Sequence, residues 1–506
     1  MLPYKTLINP DRAAKLPLYV QICNSFINLI DERKLQPGDT LPSTRKLADL
    51  IHVNRNTANL AYEELISQGW AESVNRKGIF VPASLPSASK RISRTLEKTP
   101  DFKTSFTWIN KFESEAAPLK FQKPVLIIDE GFPDVRLAPI DHLMTEYRSI
   151  SKRFSGKNFL KYGNPKGGEN LRNSISKYLL NTRGLVASAD DILITKGSQM
   201  GIYLAAQLLI EPGDFVAVGN SNHLLADATF KLFGANLLRI PVDQNGIDTD
   251  CLEYELQTKK IKALYVIPQH HCPTTVTLSI ERRFKLLELA KTHSFAIIED
   301  DFDFEFQYED NAYIPLASMD NHQSVVYIGS FSKTFAPSLR IGFLSGPQEF
   351  VAAAATLRKY MDRQGDTLLE ESFASLLDNG EIDRHFRKAI KIYKERRNVF
   401  CDMLAATFDG IIEIKKPEGG LAIWARFDKS IDLMKMSNHA AANGLQICNG
   451  NSYKNEQFKV NGLRMGFASL EIPEMEKAFV TLKKAVAATG PAPTLALVHN
   501  YTKVSA

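Results

Sequence analysis

Cysteine is scarce and scattered in this chain. Its 506 residues include five, Cys23, Cys251, Cys272, Cys401 and Cys448, and no two form a C-x-x-C pair. That spacing argues against a disulfide framework or a zinc ribbon, and it fits a reducing compartment. No run of apolar residues approaches the roughly 18 needed to span a bilayer. The opening residues, MLPYKTLINPDRAAK, lack the apolar stretch of a secretory signal, so a cytoplasmic protein is expected. No internal repeat is visible, and the phosphate loop G-x-x-x-x-G-K-[ST] is absent. Charge of one sign is missing from most of the chain: residues 121–506 carry 45 Lys and Arg against 45 Asp and Glu. The whole excess lies earlier, at +3 over residues 1–90 and +2 over residues 91–120. A basic module on a neutral body points to a polyanionic partner for the module.

What is present is ordinary for a globular protein, with 44% apolar and 24% charged residues. At about 100–200 residues per domain, the length suggests roughly three structural units. Residues 1–83 read as a compact module. Residues 84–120 are rich in Ser, Pro, Lys and Thr without sustained periodicity, as in a linker. Residues 121–490 alternate apolar runs with amphipathic stretches, and residues 491–506 read as a flexible tail. The runs DILIT (191–195), FVAVG (215–219), ALYVIP (263–268), FAIIED (295–300) and SVVYIG (324–329) predict strands. Helical stretches such as 281–293 lie between several of them, so an α/β domain with a mainly parallel sheet, covered on both faces, is predicted.

In the first module, residues 19–33 place apolar side chains at helical spacing. Ser43 is suited to cap a second helix and Asn54 a third, which Gly69 would end. Two short apolar runs around residues 75–78 read as a hairpin. Three helices and a hairpin make a winged helix-turn-helix. Its third helix would present Arg55, Asn56 and Thr57 to the major groove. Arg45 would meet phosphate at the start of the second helix, and Lys77 would extend from the wing. On pattern alone, a small protein-docking module with a basic face remains open. The segments LQPGDTLPSTRKLA, VNRNTANLAYEELISQGW and RKGIFV resemble the DNA-binding domain of GntR-type bacterial regulators. The resemblance implies binding to double-stranded operator DNA and association with the bacterial nucleoid through it.

In the larger domain, GSFSKTFAPSLRIG (329–342) follows an apolar strand. Lys333 lies between Ser330 and Ser332 on one side and Arg340 on the other. A lysine amine beside groups that anchor phosphate is what a pyridoxal phosphate (PLP) Schiff base requires. Gly197-Ser198-Gln199 opens a helix after a strand, where free backbone N–H groups favour phosphate. The acidic run Glu299-Asp300-Asp301 ends another strand, where a carboxylate would keep a pyridine nitrogen protonated. Mg²⁺ would also accept such a cluster, but no phosphoryl-transfer motif accompanies it, and no metal site is expected.

These segments in this order resemble fold-type I PLP enzymes of the aminotransferase family. From about residue 17 to 480 the chain is similar to MocR-type regulators, a GntR winged helix fused to an aminotransferase-like domain. The resemblance implies that Lys333 forms the internal aldimine and Asp300 faces the pyridine nitrogen. Ser198, Gln199, Ser330, Ser332 and Arg340 would hold the phosphate, and Arg464 in GLRMGFA would bind an effector carboxylate. A homodimer is also implied. Three positions depart from the pattern. Phe302 replaces a tyrosine that donates to the cofactor's 3′-oxygen. His223 stands where an aromatic residue stacks on the ring, and is expected to titrate near neutrality. Cys272 stands where aminotransferases place a ring-contacting asparagine. The reading is a PLP-dependent regulator that senses PLP, an amino acid or an amine by aldimine exchange at Lys333, with slow turnover. One alternative is a working aminotransferase tethered to a DNA-binding module; Phe302 and Cys272 count against it. The other is a large domain kept only for dimerisation; the presence of Lys333, Asp300 and Arg340 counts against that.

Overall fold

The computed structural model describes residues 2–14, 16–75, 77–86, 107, 126–153, 159–309, 313–320 and 323–489. Nearly all of the expected linker 84–120, the expected tail 491–506 and Arg76 of the wing lie outside them. The chain divides into two compact units, Met1–Glu115 and Ala116–Ala506.

In the first unit, helices span Leu18–Asp31, Thr44–Leu50 and Arg55–Ser67. The side chain of Ser43 accepts a hydrogen bond from the Lys46 amide at 3.3 Å, and that of Asn54 from the Asn56 amide at 2.9 Å. Both caps satisfy amides that a helix start leaves open. Gly69 turns the chain at φ +77° after the third helix. Strands Glu72–Val74 and Gly78–Phe80 pair antiparallel as the wing. Ile22, Phe26, Leu47, Ala58, Tyr62 and Leu65 form the buried centre. A short helix, Tyr4–Leu7, precedes the three expected ones, and its Tyr4 ring packs 6.0 Å from Phe26.

The second unit is built on a seven-stranded sheet. Its order is Ile192–Thr195, Gly342–Ser345, Val325–Ser330, Ala296–Asp301, Ile261–Val266, Phe215–Gly219 and Asn236–Ile240. Gly342–Ser345 runs antiparallel to both neighbours, and every other pairing is parallel. All residues of strands Ile192–Thr195 and Val325–Ser330 are buried, which is why they read as unbroken apolar runs. A second lobe carries a three-stranded antiparallel sheet, Ile412–Ile414, Ala422–Phe427 and Gly462–Gly466. Apolar residues of the long helix Glu381–Thr407 and of Ile472–Ala487 join its core. Leu126–Ile128 pairs in parallel with Leu445–Ile447, which places the turn at 129–132 against this lobe.

Candidate functional site

The parallel strands deliver the expected residues from their carboxyl ends, where open α/β sheets bind ligands. The strand Ile192–Thr195 leads into Gly197, which adopts φ +77° and caps the helix Ser198–Leu209 without any side-chain hydrogen bond. The first amides of that helix are thus left to a ligand. A Cβ on Gly197 would lie 2.5 Å from an Arg340 terminal nitrogen, so the guanidinium fits only against a glycine. Arg340 donates to Ser332 Oγ at 3.2 Å and to the Lys196 carbonyl at 2.7 Å. Ser330 Oγ accepts from the Ser332 amide at 3.1 Å. Gln199 Nε2 donates to Thr229 Oγ1 at 2.8 Å, while its buried Oε1 has no partner. Ser330, Ser332 and Arg340 are thus linked to one another and lie against Gly197, next to Ser198, while the Gln199 amide nitrogen bonds Thr229.

Asp300 is 2% exposed at the end of the strand Ala296–Asp301. Its Oδ2 accepts from Tyr265 Oη at 2.7 Å, and its Oδ1 is buried without a partner. Burial pushes its pKa up to about 7, against the pull of the Tyr265 hydrogen bond, and Asp301 and Asp303 add to the rise. An unsatisfied buried carboxylate oxygen is unfavourable unless a donor meets it, and a protonated pyridine nitrogen is such a donor.

Lys333 Nζ donates to the Gly131 carbonyl at 2.9 Å. It lies 4.3 Å from the Phe132 ring centroid and 5.6 Å from that of Phe302. Burial, followed by the Arg464 charge, holds the ammonium below its usual pKa. A lysine so placed gives up its proton more readily, as a Schiff-base amine must.

Arg464, on the strand Gly462–Gly466, is 3% exposed, unlike an ordinary surface arginine. Nε donates to the Glu130 carbonyl at 2.9 Å, and Nη1 to the carbonyls of His271 at 3.1 Å and Pro273 at 3.3 Å. No carboxylate pairs with it among the described residues. His223 departs from expectation. Burial, then Lys333 and Arg464, push its pKa down to about 4, so it is neutral near pH 7 rather than titrating there. Its Nδ1 is buried without a partner. The Cys272 thiol is pushed up by burial and is a neutral thiol near pH 7.

Several residues at the site carry no local sequence signal. Tyr265 holds Asp300 from the neighbouring strand. The turn 129–132 reaches Lys333 because the Asp129 carboxylate accepts from the Gly131 and Phe132 amides at 2.7 and 2.9 Å. Gly131 sits at φ +100°, which only glycine adopts readily. His270 Nδ1 contacts Asp303 Oδ1 at 2.8 Å, both side chains being buried, and this braces the Cys272 loop against the segment after Asp300. In the first unit, Arg45, Arg55, Asn56 and Lys77 are exposed and Thr57 is half-buried. Arg55, Asn56 and Thr57 stand in the first turn of the third helix, and Lys77 between the wing strands.

Comparison with known proteins agrees with this geometry. Residues 131–482 match the aminotransferase class I and II family, and residues 18–81 match the bacterial regulatory proteins of the gntR family. The chain is 31% identical to the HTH-type transcriptional regulator TauR of Rhodobacter capsulatus, over 82% of this chain and 85% of that one. The chain belongs to the MocR-type family of transcriptional regulators. It is also 25% identical to the probable rhizopine catabolism regulatory protein MocR of Rhizobium meliloti, over 94% of this chain and 95% of that one. Among solved structures, the Pyrococcus horikoshii kynurenine aminotransferase, in complex with PMP, superposes with a TM-score of 0.68 at 28% identity. The match covers 72% of this chain and 92% of that one. The large domain of this MocR-type regulator therefore has the fold-type I aminotransferase architecture, and its cofactor is PLP. The unpartnered Asp300 Oδ1, the uncapped helix start and the partly desolvated lysine fit that group's pyridine nitrogen, phosphate and aldehyde. No helix among the described residues is long and apolar enough to cross a membrane.

Proposed function

We propose that the protein binds operator DNA through its N-terminal unit and adjusts that binding when an amino acid or amine occupies the PLP site. The observation that carries the reading is the convergence of Lys333, Asp300 and Arg464 in one site of a chain that also has a winged helix. PLP, when bound, supplies an aldehyde carbon that captures primary amines. Lys333 supplies the amine that holds it in place, and the low proton affinity of that amine keeps it exchangeable. Asp300 holds the ring in its protonated form. Ser198, Gln199, Ser330, Ser332 and Arg340 would hold the phosphate, and neutral His223 would line the ring's part of the site. Among the described residues one terminal nitrogen of Arg464, Nη2, has no hydrogen-bond partner, which suits it to an effector carboxylate. In the other unit Arg55, Asn56 and Thr57 read base edges, while Arg45 and Lys77 hold phosphates. The protein acts in the cytoplasm as a homodimer, so the operator has two half-sites.

Two single substitutions separate the roles. Lys333→Ala is expected to abolish the visible absorption band of the PLP-loaded protein and to leave operator affinity without effector unchanged. Arg55→Ala is expected to keep the band and to weaken operator binding by about 1–3 kcal/mol, with relaxed preference at one base pair. No band in the wild-type protein, even with PLP added, would overturn the cofactor role of Lys333.

A further inference from the structure

Glu130 stands beside Lys333 and Arg464, and the reading above gives its carboxylate no task. It precedes Gly131, whose carbonyl meets Lys333 Nζ at 2.9 Å. Its own carbonyl is tied to Arg464 Nε. Its carboxylate, by contrast, has no hydrogen bond and no ion pair within 4.0 Å among the described residues. It is partly buried, and it lies within the electric field of both Arg464 and Lys333. Burial raises its pKa, and those two cations only partly offset the rise. The carboxylate keeps some contact with solvent and has no partner among the described residues, so a cation brought by a ligand can pair with it in a site drier than bulk water.

The surroundings favour a cation at this point. Phe132 is 44% exposed at the rim, and its ring face lies 4.3 Å from Lys333 Nζ. Phe302 offers a second aromatic face near the same atom. Ring faces and a carboxylate together attract ammonium and repel a second carboxylate. Arg464 forms no ion pair with Glu130 among the described residues; its Nε and Nη1 are held by main-chain carbonyls in the turn itself and on the far loop.

Resting on the amine-sensing reading above, we infer that the effector is a primary amine carrying a second ammonium group, and that Glu130 anchors that second ammonium. A diamino acid fills the site most completely, with its carboxylate on Arg464 and its non-reacting ammonium on Glu130. A simple diamine makes the Glu130 contact alone.

The test uses two matched pairs of amines that differ by one ammonium: ornithine with norvaline, and 1,4-diaminobutane with 1-butylamine. Each is titrated into full-length PLP-loaded protein, and the half-saturating concentration is read from the visible spectrum. At least one member with the second ammonium is expected to saturate at a concentration about 10-fold or more below its match, the worth of one charge-assisted hydrogen bond. Preference in both pairs means that the ammonium suffices. Preference only for ornithine means that Arg464 and Glu130 act together, which also supports the inference. In Glu130→Gln the preference is expected to disappear. A preference below that threshold in both pairs, or one unchanged in Glu130→Gln, overturns the inference and leaves amine sensing intact. No spectral response to any of the amines overturns the amine-sensing reading and the inference with it.

Discussion

Burial makes ionised Asp300 unfavourable, and this has a consequence in the protein stripped of PLP. Its pKa rises from 3.8 to about 7 in the folded chain, with burial as the main cause. The folded state thus keeps a proton that the unfolded state gives up. The contribution is fully favourable below about pH 4, and it is lost as pH rises through about 7. The displacement corresponds to on the order of 4 kcal/mol. Asp301, raised to about 6, and Glu299, raised to about 8, act in the same direction. The PLP-free protein is therefore expected to lose melting temperature between pH 5 and 8, and Asp300→Asn to flatten that slope. Added PLP should flatten it as well, because a protonated pyridine pairs with the ionised carboxylate. An equal slope in wild type and Asp300→Asn, measured by thermal unfolding across that range, would show that Asp300 ionises freely. The carboxylate itself was legible from its place at a strand end. Its control by Tyr265 was not, because that contact comes from a neighbouring strand 35 residues earlier. His223 shows the same limit: its identity is in the sequence, but its neutrality follows from burial and from two cations brought by distant segments.

Elements were legible where burial imposes a simple pattern. Strands such as Phe215–Gly219 and Val325–Ser330 are almost wholly apolar because helices cover both faces of the sheet. Gly342–Ser345 is equally buried, yet it begins at the last residue of the lysine motif 329–342 and is too short to register as a separate strand. Its reversed direction is a matter of topology, which periodicity does not encode. The three-stranded sheet of the second lobe stayed hidden for a related reason, since Ile412–Ile414 alternates only weakly and half-exposed. Tyr4–Leu7 is too short for periodicity to register. The glycine-led start of helix Ser198–Leu209 carries a prediction of its own. Alanine at Gly197 meets a positive φ with ψ near 180°, a region essentially reserved for glycine that costs about 1–3 kcal/mol, and a clash with Arg340. Arg340 is an exposed side chain on a flexible stem, so it is expected to swing aside and the fold to survive. The loss falls on phosphate binding, because the displaced guanidinium leaves Ser332. Gly197→Ala should therefore raise the PLP dissociation constant by about 10-fold or more, as for loss of a charge-assisted hydrogen bond, with the PLP-free protein destabilised by no more than about 1–3 kcal/mol. A large stability loss with unchanged PLP affinity would place the constraint in the backbone instead.

At the scale of the whole molecule, a regulator needs more than a DNA-binding unit and a ligand-binding unit on one chain. The two sites must share a conformational equilibrium that each ligand biases. Within the large unit, Arg464 already links the parts that a ligand would move. It ties the second-lobe strand Gly462–Gly466 to the turn at Glu130 and to the loop of His271 and Pro273. An effector carboxylate engaging Arg464 Nη2 would add a contact to the arrangement that these bonds hold, so its binding energy would differ between arrangements of the lobes. Such a difference is the only source of coupling available to a ligand. Thermodynamics then sets a strict condition. If the effector changes operator affinity by some factor, commonly about 5–150-fold in coupled systems, operator DNA must change effector affinity by the same factor. The half-saturating effector concentration, read from the visible spectrum of the PLP-loaded protein, is therefore expected to shift when saturating operator is added. The shift should equal the change in operator affinity that saturating effector causes. Lys333→Ala should abolish both together. An effector that alters operator binding while operator leaves the titration unmoved would be acting at a second site, and the link through Arg464 would carry no signal.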